Sequence, residues 1–263
     1  MRISRRLTVT LAVAAAGALG VTGIALAGVS ANGDDSSIDQ FAVTPNKLPK
    51  KKFKAIKHVL DLSNVYANPG NDNPGGAVHR TQIYIDDDVK LNPKAAAKCD
   101  PASVSGNIPM SQAMAACGSA KVGSGTAKAT VNGAFDVNGC VLLFNGTPQG
   151  GKPTLLVYTR VQVSNPSSIT CADPANNNQG NASILLQGVV KPASGDFGIQ
   201  LDVNNIDDAA AFPLTQFNTV LKKGNYLSAR CHDSNKTLNE KVTWTYNDNT
   251  KETEKASQKC KVA

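Results

Sequence analysis

The stretch Asp196-Phe197-Gly198-Ile199-Gln200-Leu201-Asp202-Val203-Asn204 decides the fold. Phe197, Ile199, Leu201 and Val203 fall on one face of an extended chain, and Asp196, Gln200, Asp202 and Asn204 fall on the other. Successive side chains of a strand point to opposite faces, so this period of two describes a strand with one face buried and one wet. The pattern returns on both sides of it. Leu155, Val157, Thr159, Val161 and Val163 alternate with Tyr158, Arg160 and Gln162, and Val242, Trp244 and Tyr246 alternate with Lys241, Thr243 and Thr245. Further strands are expected near 80–86, 126–132, 140–144, 183–190, 216–222 and 226–231. Asn132-Gly133, Asn145-Gly146 and Pro174 to Asn181 separate them, because Gly, Pro and Asn supply backbone bends. Helix candidates are short, at Pro93 to Lys98 and Ser111 to Ala116. Many short strands with few helices predict an all-β fold, an immunoglobulin-like or jelly-roll-like β-sandwich with one or two short helices.

The composition agrees with a folded chain. Of 263 residues, 41% are hydrophobic and 18% charged, with Gly 22 and Pro 13, which excludes a low-complexity chain or a coiled coil. The mean hydropathy of -0.20 and the absence of a span-length apolar run beyond residue 27 exclude a multi-pass helical membrane protein. Arg2, Arg5 and Arg6 precede an uncharged stretch from Leu7 to Ala27, followed by small residues. Residues 1–31 therefore read as an export signal cut after Ala27 or Ala31, with no transmembrane segment left in the mature protein. No cysteine lies near the cut, so a bacterial lipid anchor has no attachment point.

Removing that segment leaves 24 of the 27 basic side chains against all 20 acidic ones. Lys47, Lys50, Lys51, Lys52, Lys54 and Lys57 cluster ahead of residue 58, behind Asp34, Asp35 and Asp39; without these, 18 basic face 17 acidic side chains. The expected organisation is a flexible lysine-rich leader over 32–57 and one disulfide-bonded β-sandwich domain over 58–263. A charge run of this kind is expected to be solvated, with anionic wall polymer or lipid headgroups as the alternative contact. A nucleic-acid partner is not expected, since the folded part shows no basic face with interleaved aromatics.

Cys99, Cys117, Cys140, Cys171, Cys231 and Cys260 all lie beyond the signal, and an even number in an exported chain predicts disulfides. None of the spacings is the close pair that zinc sites use, so no metal is expected. Fifteen connectivities exist for six cysteines. Sequential pairing, Cys99 with Cys117, Cys140 with Cys171 and Cys231 with Cys260, is the simplest.

Chemistry is harder to find. The histidines are His58, His79 and His232, and no Gly-x-Ser-x-Gly elbow, His-Glu-x-x-His helix or phosphate loop occurs. Ser119 and Ser124 sit among glycines and read as turn residues, and His232 reads as a surface residue without partners for base catalysis. Asp86-Asp87-Asp88 and Asp207-Asp208 are the dense acidic clusters. Either offers a carboxylate pair for glycoside hydrolysis or oxygen ligands for calcium. Lys90 occupies a ligand position of the calcium spacing, and the turn glycine is missing. Trp244 is in register with Val242 and Tyr246, which predicts a core position rather than a sugar platform.

The run Thr44-Pro45-Asn46-Lys47-Leu48-Pro49-Lys50-Lys51-Lys52, then Ile83-Tyr84-Ile85-Asp86, Lys98-Cys99, and Ala116-Cys117-Gly118-Ser119-Ala120-Lys121-Val122-Gly123-Ser124-Gly125, resembles uncharacterised exported proteins of high-GC Gram-positive (actinobacterial) bacteria. The resemblance covers the first half of the mature chain, and the Cys117 to Gly125 segment is its most distinctive part. It implies a secreted β-rich protein and carries over no catalytic residue or cofactor. The expected function is that of a non-enzymatic interaction or structural module at the cell surface or outside the cell, with an unidentified partner. The alternatives are a secreted hydrolase using a carboxylate pair and a small-ligand or calcium-dependent carbohydrate binder.

Overall fold

The computed structural model describes residues 36–64, 78–131, 135–163, 169–206, 214–232 and 237–263; the expected signal segment lies outside them. In chain order the strands are β1 (Ser36–Thr44), β2 (Lys47–Leu48), β3 (Lys54–Ala55), β4 (Lys57–Asn64), β5 (Val78–Asp86), β6 (Val89–Leu91), β7 (Lys121–Val131), β8 (Phe135–Gln149), β9 (Lys152–Gln162), β10 (Ala182–Pro192), β11 (Phe197–Val203), β12 (Leu214–Leu221), β13 (Leu227–Ala229), β14 (Thr237–Tyr246), β15 (Lys251–Lys259) and β16 (Lys261–Val262). One helix, α1 (Met110–Cys117), and short 3-10 turns complete the described chain. The protein is all-β with one short helix, as its alternation predicts, and no helix among the described residues is long and apolar enough to cross a membrane.

Eleven strands join in one antiparallel sheet in the order β1-β4-β12-β7-β8-β9-β10-β11-β5-β14-β15. Its two halves face each other across a shared core, so the layers of the sandwich come from a single sheet folded over on itself. Ile38, Leu60, Ile83, Val141, Val157 and Trp244, from six different strands, belong to one buried cluster. The fold brings the two edge strands together. No ladder joins β1 to β15; the side chain of Gln258 accepts from the N–H of Val43 and donates to its carbonyl at 3.2 Å, taking the place of a strand partner. Glu254 likewise accepts from the Ile38 N–H. Farther along, the Tyr246 hydroxyl bonds Glu252 and lies 2.6 Å from Ser36 Oγ, which donates to Asn64 at 2.9 Å.

One end of the folded sheet is covered by two small sheets, β3-β13-β6 and the parallel pair β2-β16. A second core lies outside the main sheet. Cys140, Leu142 and Phe144 on the outer face of β8, with Leu156 and Tyr158 of β9, are buried under Val104, Met110 and Ala113 of the segment that carries α1. The structure joins Cys99 to Cys117, Cys140 to Cys171 and Cys231 to Cys260, with Cα separations of 5.3, 5.3 and 6.0 Å. The first two staple this outer layer, and the third ties β16 to the end of β13.

Two expectations are corrected. Residues 36–57 are part of the fold rather than a flexible leader: β1 buries Ile38, Phe41 and Val43, and Leu48 is fully buried. A bulge between Ile38 and Gln40 breaks the period of two, which hides the strand from a pattern reading. The Gly123-Ser124-Gly125 segment lies in β7 rather than in a turn. Glycine is required there by close approach, since a Cβ at Gly125 would sit 1.9 Å from the Asn218 carbonyl oxygen of β12.

Candidate ligand cavity

The acidic cluster that the sequence singles out closes the turn between β5 and β6, where its three carboxylates lie within 4.8 Å of one another. Asp86 accepts from the backbone N–H groups of Asp88 and Asn239 at 2.9 and 2.8 Å. Burial pushes its carboxyl up to about 6, against the pull of those amides. Asp88 goes the other way. Burial raises it, but the Arg230 guanidinium at 2.7 Å and the imidazole and backbone N–H of His232 more than offset this, and it sits below the ordinary value. Both buried carboxylates are thus committed to donors within the fold, and Arg230 pairs with Asp88. Asp207 and Asp208 lie outside the described residues. His232 is 43% exposed and held by Asp88. Asp202, read as a solvent-facing residue, is instead buried between Arg80 and Lys191; burial raises its pKa, and the two cations hold it below the usual carboxylate range.

The inner face of the folded sheet offers a different site. Between its halves lies a cavity of about 90 Å³, lined by Leu60, Leu143, Val157, Leu201, Phe217 and Trp244 among other apolar residues. A second space of about 30 Å³ shares Leu186, Ile206, Leu214 and Phe217 with the first, so the two adjoin across these side chains. Leu186, Leu201, Leu214, Phe217 and Leu221 pack against the main core yet stay only half-buried. The inner faces of β10, β11 and β12 are therefore not sealed by their own packing.

Few polar groups line this space: His58, Asn64, Thr81 and Thr219. His58, 3% exposed, points inward from β4, and its Nε2 lies 2.8 Å from Glu240 Oε2. Glu240 is fully buried in the inward row Leu238, Glu240, Val242 and Trp244 of β14. A buried carboxylate needs a partner, and His58 supplies one for a single oxygen. Glu240 Oε1 and Trp244 Nε1 are buried with no hydrogen-bond partner among the described residues. Sequence reasoning missed this pair because its members are 182 positions apart and belong to no motif. The available signal was a carboxylate in an otherwise apolar row.

No family model, curated protein or solved structure matches the chain.

Proposed function

We propose that the chain is an exported, non-enzymatic binding protein that holds a small, largely apolar ligand inside the folded sheet. The observation that carries this reading is the apolar cavity whose lining leucines and Phe217 are left half-buried. Burying such a side chain from full exposure is worth about 1.5–3 kcal/mol and covering the remainder of a half-buried one a fraction of that, so a ligand there is driven by the same effect that builds the core. The space is narrow. A void of roughly 150 Å³ takes up a benzene-sized molecule, so about 90 Å³ with a smaller continuation favours an unbranched alkyl chain over a fused ring system. The commitment of Asp86 and Asp88 to internal donors supports a binding role over hydrolysis at that turn. Disulfide pairing supports an oxidising compartment and thus export.

Trp244, the only tryptophan, lines the cavity and reports on it directly. Titration with saturated fatty acids of increasing length is expected to give a saturable change in its emission, with affinity rising about fourfold per methylene until the cavity is filled. Val157→Phe, which fills the space, is expected to remove the response. Absence of a saturable change at every chain length overturns the proposal.

A further inference from the structure

The lysine run expected in a tether is fixed on the folded surface, where it meets lysines from other segments of the chain. β2 pairs with β16, so Lys47 lies opposite Lys261. Cys231, bonded to Cys260, donates its backbone N–H to the Pro49 carbonyl at 3.0 Å, which places Lys259 near the Lys50-Lys51-Lys52 bend. In the small sheet, Lys54 and Lys90 flank β13, opposite Ala229 and Ser228. Lys90 Nζ stands 4.2 Å from the centre of the Phe53 ring.

All eight of these lysines are exposed, and none forms an ion pair among the described residues. Segments 45–57 and 255–263 contain no acid. Of the acids nearby, Asp86 and Asp88 are buried and bonded, which leaves Asp87 and Asp196, whose carbonyl accepts from the Asp87 N–H at 3.2 Å, as two exposed acids against eight lysines. The end of the fold covered by the small sheets is therefore a positive pole, held in shape by a disulfide.

We infer that this pole docks the protein on an anionic lipid bilayer. Its charge is carried by lysine, a compact point charge, while Arg230, with the forked geometry for stereospecific phosphate recognition, is engaged by Asp88. Such an array suits a surface of many diffuse charges rather than one bound phosphate. Val262, the exposed large hydrophobic side chain among the described residues at 39%, adjoins Lys261 within the array, as contact with a headgroup boundary requires. Base stacking has no platform there, since the Phe53 ring is covered by Lys90 and Arg230. This inference does not depend on the cavity.

The test is co-sedimentation of the full chain with phosphatidylcholine vesicles, with and without phosphatidylglycerol, at low and high salt. Binding is expected only to the anionic vesicles and to disappear at high salt. Each lysine near such a surface changes partitioning about fivefold, so the triple variant Lys50→Gln, Lys51→Gln, Lys52→Gln is expected to lose at least about tenfold. A second variant, Lys47→Gln, Lys259→Gln, Lys261→Gln, is expected to lose a similar factor, with the buried Trp244 emission of both unchanged. Equal binding to neutral vesicles, or variants that bind like the parent, overturns the inference. Tighter binding to soluble polyphosphate than to vesicles of equal phosphate content also overturns it, in favour of a polymer partner.

Discussion

The β8–β9 joint and the β1–β15 seam close the same sheet in opposite ways. β8 and β9 share a long backbone ladder from Asn138 to Gln149, and both faces of the pair are buried, one in the main core and one under the α1 segment. β1 and β15 meet without a ladder, through Gln258, Glu254 and the Tyr246–Ser36–Asn64 chain. A ladder bonds every strand whatever its side chains, whereas a seam of this kind exists only where particular polar side chains reach the facing backbone. The first joint is general and the second is specific, and they differ in what breaks them.

The largest effect is expected at the first joint. Phe144→Ala removes a fully buried ring from the outer core and is expected to cost about 3–5 kcal/mol, read as a shifted denaturant midpoint at constant slope. Next is the disulfide nearest the seam: replacing Cys231 and Cys260 by alanine opens a loop of separation 29 and is expected to cost about 3 kcal/mol in thermal or urea unfolding. At the seam itself, Gln258→Ala strands the Val43 amide and carbonyl and is expected to cost about 1–3 kcal/mol. Hydrogen exchange sharpens this contrast. The Val43 amide is expected to exchange faster in that variant while the amides of Leu142 and Phe144 keep their protection. Uniform acceleration across both joints would show that the seam does not open on its own.

The smallest effect concerns the turn after β5, two strands from the seam edge. Asp86 has a folded pKa raised from 3.8 to about 6, so the stability it contributes is fully present below 3.8 and is lost as the pH rises through about 6. Asp88, two residues on, is depressed, so its contribution is present above the ordinary carboxylate value and is lost on acidification below it. Urea titrations across this range are expected to show Asp86→Asn flattening the limb between pH 3.8 and about 6, and Asp88→Asn flattening the limb below it. A limb unchanged by Asp86→Asn would remove Asp86 as its source.

The legible strands and the hidden ones divide along the same comparison. The strands expected around 140–144, 155–163, 183–190 and 197–203 all lie in the sheet, because each carries apolar residues on at least one face. β15 was invisible: its inward row is Glu252, Glu254, Ala256 and Gln258, and its outward row is Lys251, Thr253, Lys255, Ser257 and Lys259, so no hydrophobic alternation exists to read. β1 was hidden by its bulge. Both seam strands were missed, and so were β4 and the short β2, β3, β6 and β16, none of which falls in an expected range. In β15 the inner positions hold polar side chains such as Gln258 that replace a ladder, and those residues look like surface until the facing backbone is known.

By itself the sequence determined what depends on near neighbours: the all-β class, most strand positions, the inward register of Trp244 and an even complement of six cysteines. Period two and turn chemistry are local properties of a chain. Only the tertiary structure decided the rest. Gln258 meets Val43 across 215 positions and Glu240 meets His58 across 182, while the lysines of residues 47–54 meet those of 259–261 through a parallel pair of short strands. Contacts of that range come from how far one sheet curls, which depends on bulges and glycine approaches summed over all its strands, and no short window of residues carries that sum.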